Sequence, residues 1–151
     1  MKQSPQLDLV QARMRPGAIT LHGFLGNDHR PLAQILEEDH NTVNELGITH
    51  RLVADRMEFF TEEGRKGLGT TVEVEDHFEV RVEEVRGVLP CPWPHKGLYP
   101  KLNVYLTNRD LDEELMWTGL QVHLIGEHGF YEGKGSEFRI EPEDARRILE
   151  L

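Results

Sequence analysis

The sequence contains a single cysteine, Cys91, and lacks long apolar runs. One thiol excludes an intramolecular disulfide, and an unpaired thiol favours a reducing compartment. No stretch approaches the roughly 18 apolar residues of a membrane span, and residues 1–17 contain no apolar run of signal-peptide length. We therefore expect a cytoplasmic protein that is neither exported nor inserted into a membrane.

Basic residues are also scarce. The chain has 17 Lys and Arg against 27 Asp and Glu, which gives a formal net charge of −10 at pH 7. The basic clusters are short and lie at residues 65–67 and 145–147. Because Lys and Arg neutralising phosphate supply most of the affinity for nucleic acids, we expect no nucleic-acid partner. An acidic surface is compatible with cations or with basic partners.

Repeats, low-complexity tracts and linkers are absent as well, and 151 residues is about the length of one domain. A chain of this size buries about 68–70% of its unfolded surface, so its core needs neither disulfides nor a metal for stability. The sequence predicts a loosely ordered N-terminal segment at residues 1–16 and a single domain at residues 17–151.

Apolar residues at helical spacing predict a first helix between residues 32 and 46, with Gly47 at its end. Thr49 is a typical N-cap for a second helix that ends near Gly64, and so short a connection predicts a helical hairpin. A further helix is expected to start at Thr118 and end by Gly129. The last residues, EPEDARRILEL, predict a closing helix.

Between these helices the apolar residues alternate with polar ones. TTVEVEDHFEVRV predicts two strands joined at Asp76-His77, and the alternation slips at residues 83–85, which indicates a bulge. Further strands are predicted at residues 102–108 and 114–117, with additional short ones at residues 17–23 and 136–140. Because strands and helices are grouped, we predict an α+β fold. It would have a mostly antiparallel sheet of about four to five strands, with the helical hairpin and further short helices packed on one face.

Two glycine-rich segments resemble parts of known functional motifs, but neither motif is complete in this chain. LHGFLG at Leu21–Gly26 resembles the oxyanion-hole loop of α/β-hydrolases, but the chain has no G-x-S-x-G nucleophile elbow. GFYEGKGS at Gly129–Ser136 has too few residues between its glycines for a phosphate-binding loop, and Gly135 takes the place of the required Ser or Thr. Both segments are interpreted as turns.

The strongest candidate for a functional site is a set of four possible metal ligands. Cys91 and His95 lie four residues apart in a proline-rich loop, and His123 and His128 lie near the end of a predicted helix. Zinc prefers about four thiolate and imidazole ligands in a tetrahedron. The histidine pair resembles that of Cys2His2 zinc fingers, although the second cysteine of that family is absent here.

Helix geometry limits this site. Residues five apart on a straight helix diverge by roughly 140°, so both histidines can face one ion only if His128 lies where the helix ends or unwinds. If His128 points elsewhere, Cys91, His95 and His123 would leave a coordination position open to water, which is the catalytic pattern. Glu127 or Glu132 would then be the candidate base.

The leading hypothesis is a structural zinc site that ties the proline-rich loop to the penultimate helix. The alternatives are a metal-free protein–protein interaction module, such as a homodimer, and a metal-dependent hydrolase. The absence of a catalytic motif favours a role without catalysis. The sequence identifies no small-molecule ligand, and it leaves open whether His22 and His29 join the Cys91 site.

Overall fold

A computed structural model describes residues 2–151 and has the α+β architecture expected from the sequence. Its four strands form one antiparallel sheet in the order β1-β2-β3-β4. No helix within residues 2–151 has the length and apolarity needed to cross a membrane. The elements are α1 (Pro5–Arg13), α2 (Leu32–Glu45), α3 (His50–Arg65), β1 (Val72–Val74), β2 (Phe78–Pro90), β3 (Leu98–Asn108), β4 (Glu113–Thr118), α4 (Gly119–His128) and α5 (Pro142–Leu149).

The sheet follows the alternation of apolar and polar residues. In β2 the side chains of Phe78, Val80 and Val82 are buried on the face that packs against α3, whereas the intervening residues are more exposed. Such alternation is typical of an antiparallel sheet with one face covered. The register of β2 and β3 shifts between Glu84 and Val88, which is where the broken alternation predicted a bulge.

The helices predicted from capping residues and apolar spacing are present. The side-chain oxygen of Thr49 accepts a hydrogen bond from the backbone N–H of Leu52 and caps α3. Helix α3 packs against the sheet and α4, while α2 packs against α1 and α5, so the two helices joined at Gly47 have different main partners. At the start of α2, a side-chain oxygen of Gln11 accepts from the backbone N–H of Leu32.

Residues 2–16 differ from the expectation of loose order, because they contain α1. Ser4 caps this helix and Pro5 occupies its first turn, both of which favour a helix start. Val10 and Met14 are buried in the core, whereas Leu9 is exposed. So few buried positions leave only a weak helical pattern in the sequence, and tertiary packing supplies the rest of the stabilisation.

The short strands expected at residues 17–23 and 136–140 are not formed; turns and bends occupy these positions. Backbone contacts between loops replace strand pairing. The backbone N–H of Gly133 donates to the carbonyl of Phe24, and a Cβ at Gly133 would lie 2.4 Å from the carbonyl oxygen of Leu25. At Gly26 a Cβ would lie 2.3 Å from the backbone nitrogen of Ser136. The glycines of both segments therefore permit two loops to pack backbone to backbone.

Two apolar clusters form the core and meet along α4. Ile125 belongs to the cluster beneath the sheet, together with Phe60 and Trp117. Leu124 belongs to the second cluster, which contains Cys91 and extends to α1 and α2. Helix α4 is thus held from two sides, and this packing fixes the positions of its histidines.

Candidate metal centre

The loop between β2 and β3, residues 91–97, supplies two of the four candidate ligands. Cys91 is buried at the base of this loop, with 1% of its surface exposed. The guanidinium of Arg13 donates to the Cys91 carbonyl oxygen at 3.2 Å, which ties the loop to the end of α1. His95 lies on the exposed part of the same loop.

Helix α4 supplies the other two ligands, and its ends are well defined. Thr118 and Gln121 form a reciprocal capping box at the start of the helix. Gly129 adopts a left-handed conformation with φ 62° and ends the helix directly after His128. His128 is therefore the last helical residue, at the helix end where the sequence required it to lie.

The structure brings the four side chains together. One potential ligand atom from each of Cys91, His95, His123 and His128 lies within 4.8 Å of the other three. His95 lies between the two helical histidines: its Nε2 atom is 3.0 Å from Nε2 of His123 and 3.2 Å from Nε2 of His128. Zinc–nitrogen bonds of roughly 2.0–2.1 Å in a tetrahedron imply nitrogen–nitrogen distances of about 3.3 Å. The three imidazoles therefore need only small side-chain adjustments to coordinate one ion.

The tautomer of His95 is fixed by its own loop. Nδ1 of His95 lies 3.0 Å from the carbonyl oxygen of Lys96. Because a carbonyl only accepts hydrogen bonds, Nδ1 carries the proton and Nε2 presents its lone pair to the other histidines. A backbone carbonyl bound to the distal nitrogen is the usual outer contact of a metal-binding histidine.

Two aromatic side chains orient the helical histidines. Trp93 stacks on His128 with ring centroids 4.1 Å apart and an interplanar angle of 4°. Tyr99 stacks on His123 at 4.2 Å, and its hydroxyl lies 3.3 Å from Nε2 of that histidine. Both aromatic residues lie close in sequence to Cys91 and His95. The pairing depends on where the loop folds over α4, which no local pattern specifies.

The surroundings of His123 and His128 favour the neutral forms of their imidazoles. Burial, followed by repulsion from His123 and His95, lowers the pKa of His128 to about 4. Burial and the neighbouring His95 also lower the pKa of His123. Neutral imidazole is the form that binds a metal ion.

The pKa of the Cys91 thiol is shifted in the opposite direction. Burial raises its pKa, although the backbone N–H of Trp93, 3.4 Å from the sulfur, and the charge of Arg13 both favour the thiolate. Without an ion the sulfur is therefore protonated at neutral pH. A metal that bound here would replace this proton, because the thiolate is the ligand form of cysteine.

The other residues considered from the sequence are not among these four candidate ligands, although Glu127 lines the open pocket beside His95, His123 and His128. His22 lines a separate cavity, and His29 is exposed on a loop. Glu127 forms an ion pair with Arg51 at 2.6 Å, and Glu132 is buried beside the same separate cavity as His22. Of the two carboxylates proposed as a catalytic base, Glu127 is thus engaged in an ion pair, and Glu132 faces a different cavity.

A second group with metal-ligand chemistry consists of His77, Asp110 and Glu150. Nε2 of His77 is 2.6 Å from a carboxylate oxygen of Glu150, and Nδ1 of His77 donates to the Glu75 carbonyl. These contacts raise the pKa of His77, with the Glu150 contact as the main cause. Both ring nitrogens are already used as donors, so this group is best described as a surface ion pair.

The chain matches no protein-family model, no curated protein and no solved structure. Its function therefore has to be inferred from the chemistry of its own residues.

Proposed function

We propose that this chain binds a zinc ion through Cys91, His95, His123 and His128, and that the ion has a structural role. The observation that carries the proposal is the convergence of three imidazole Nε2 atoms, with the thiol of the chain's single cysteine within 4.8 Å of each ligand nitrogen. One thiolate and three imidazoles are a donor set that suits zinc.

Hydrogen bonds alone do not account for the close approach of the three imidazole rings. Nε2 of His95 has one lone pair, which would have to accept from both His123 and His128. A cation at the centre would instead accept one lone pair from each ring. The lowered pKa values of His123 and His128 disfavour a proton as that cation.

The structural role follows from the number of protein ligands. Four ligands complete the tetrahedron, whereas catalytic zinc sites keep a position for water. The ion would join residues 91–97 to the C-terminal end of α4. That loop has few apolar anchors beyond Cys91 and Trp93, so a metal link is the interaction that would hold its exposed half against the helix.

The direct test is zinc analysis of the purified protein, with and without prior incubation in zinc. We expect one equivalent per chain, a loss of zinc in Cys91→Ser and His123→Ala, and full retention in the control His29→Ala. Zinc at 100 times its dissociation constant is expected to stabilise the fold by about 2.7 kcal/mol in urea unfolding. Substoichiometric zinc with no change in stability would refute the proposal and leave the metal-free interaction module.

Cobalt substitution separates the structural role from the catalytic alternative. Tetrahedral cobalt with a thiolate ligand has a distinctive visible and near-ultraviolet absorption spectrum, which Cys91→Ser should alter. If four side chains complete the coordination, azide will leave this spectrum unchanged. A spectrum that responds to azide would indicate an open position and support the hydrolase alternative.

A further inference from the structure

A second cavity lies away from the metal cluster and has a volume of about 480 Å³. This volume falls within the roughly 300–1,000 Å³ of small-molecule sites in proteins. Its lining comes from the loop at residues 20–26, from β2 and β3, from the start of α4, and from the loop at residues 132–138. About half of the lining side chains are apolar, among them Leu21, Phe24, Leu89, Leu120 and Phe138, and the others are polar or charged. None of the four proposed zinc ligands lines it.

A buried carboxyl group faces this cavity. Glu132 is 3% exposed, and one of its carboxylate oxygens accepts a hydrogen bond from the Ser136 hydroxyl at 2.8 Å. The other oxygen has no protein donor within residues 2–151, yet no fully buried side-chain oxygen in that range lacks a partner. This second oxygen is therefore not fully buried, and because Glu132 lines the cavity, a ligand bound there can reach it.

The carboxyl group is also not paired with a protein cation, although Lys101 and His22 line the same cavity. Within residues 2–151, no Lys, Arg or His nitrogen lies within 4.0 Å of its oxygens. Arg139 donates to the backbone carbonyl of Glu132 and pairs with the carboxylates of Asp39 and Glu141 instead. A buried carboxylate without a counter-ion is costly, and a ligand that supplies positive charge and N–H donors would remove that cost.

We propose that this cavity binds a small molecule with an apolar body and a protonated amine, and that Glu132 is the counter-ion of the amine. The apolar lining would take the body, while the free oxygen of Glu132 accepts an N–H of the ammonium group. The chain's net charge of −10 favours a cation over an anionic ligand. A neutral alcohol would fill the space without supplying the charge, and a carboxylate would be repelled.

The experiment compares three probes with one apolar body: phenethylamine, phenethyl alcohol and phenylacetate. Binding to the full chain is measured by two-dimensional amide NMR titration. We expect the amine to bind at least about tenfold more tightly than the alcohol, since charge-assisted hydrogen bonds are the stronger class. The amide shifts should fall at residues 20–26, 101–103 and 132–138.

Glu132→Gln tests the counter-ion directly, because glutamine keeps the shape and can still accept from Ser136. It should remove the preference for the amine and leave the affinity for the alcohol unchanged. Glu137→Gln is the matched control: Glu137 also lines the cavity but is exposed, so its change should have little effect.

Several results would overturn the proposal. These are equal affinities for amine and alcohol, tightest binding of phenylacetate, no binding of any probe, and an equal loss in both glutamate variants. The comparison of probes on the unaltered chain is decisive even if Glu132→Gln does not fold. Because the cavity shares no residue with the proposed zinc ligands, the outcome is independent of zinc binding.

Discussion

Replacing Glu132 by glutamine should stabilise the free protein at neutral and alkaline pH. Burial raises the pKa of this carboxyl from 4.5 to about 7, while the Ser136 hydrogen bond and the charge of Arg139 act in the opposite direction. A shift of this size, at about 1.4 kcal/mol per pKa unit, corresponds to about 3 kcal/mol between the folded and unfolded states.

The sign of the pH dependence follows from the raised pKa. Below pH 4.5 the carboxyl is protonated in both states, so it imposes no electrostatic penalty. Between pH 4.5 and about 7 the unfolded chain releases the proton while the folded chain retains it, so stability falls as pH rises. Above pH 7 the full penalty of about 3 kcal/mol remains, and glutamine, which does not ionise, escapes it.

The assay is urea unfolding followed by circular dichroism at pH values from 4 to 8, on both proteins in the presence of a chelator. The chelator keeps any metal-bound state from adding its own pH dependence. We expect the two proteins to be similar at pH 4 and the variant to be more stable by about 3 kcal/mol at pH 8. A difference that does not vary with pH would refute the assignment of a raised pKa to Glu132.

Three further predictions concern other features of the fold. Asp39→Asn should destabilise the protein by about 2 kcal/mol in urea unfolding, because it removes the more buried of the two carboxylates that pair with the Arg139 guanidinium and leaves only Glu141; a loss below about 1 kcal/mol would contradict this. Gly133→Ala should lower the melting temperature, because the added Cβ would lie 2.4 Å from a backbone oxygen; an unchanged melting temperature would show that the two loops can separate without cost. In an NMR titration the pKa of His77 should lie above 6.5 and fall in Glu150→Gln, since the Glu150 contact is the main cause of the shift; an equal pKa in both proteins would contradict the ion pair. A raised histidine pKa also means that stability from this pair is complete below pH 6.5 and lost as pH rises through the folded-state pKa.

Much of the secondary structure was predictable because its signals are local. Thr49 and Thr118 cap the helices that follow them, and Gly129 ends α4 as expected. The strands from Val72 to Val82 have a period of two that only an extended chain can place on one buried face. Helix α1 was not predicted, because its apolar pattern is weak although Ser4 and Pro5 are local start signals. The strand predicted at residues 17–23 does not form, because contacts with a distant loop hold this segment instead.

The candidate metal site was likewise predictable only in part from the sequence. Chemistry and spacing alone selected Cys91, His95, His123 and His128, because few residue types bind zinc and this chain has one thiol. Helix geometry also showed that His128 had to lie at a helix end if all four residues were to face one ion. Only the tertiary structure decided that the loop folds over α4, since that placement depends on Arg13, Trp93 and the packed core around Cys91.

No local sequence pattern predicts the cavity beside Glu132. Its walls come from segments more than 100 residues apart, and its carboxyl is buried only because two glycine-rich loops pack closely. From the sequence alone, a buried glutamate flanked by glycines cannot be distinguished from an exposed one. The sequence by itself determined the acidic charge, the α+β pattern and a candidate donor set for a metal. The tertiary structure decided which side chains meet and which are removed from water, because burial and distance depend on the whole fold.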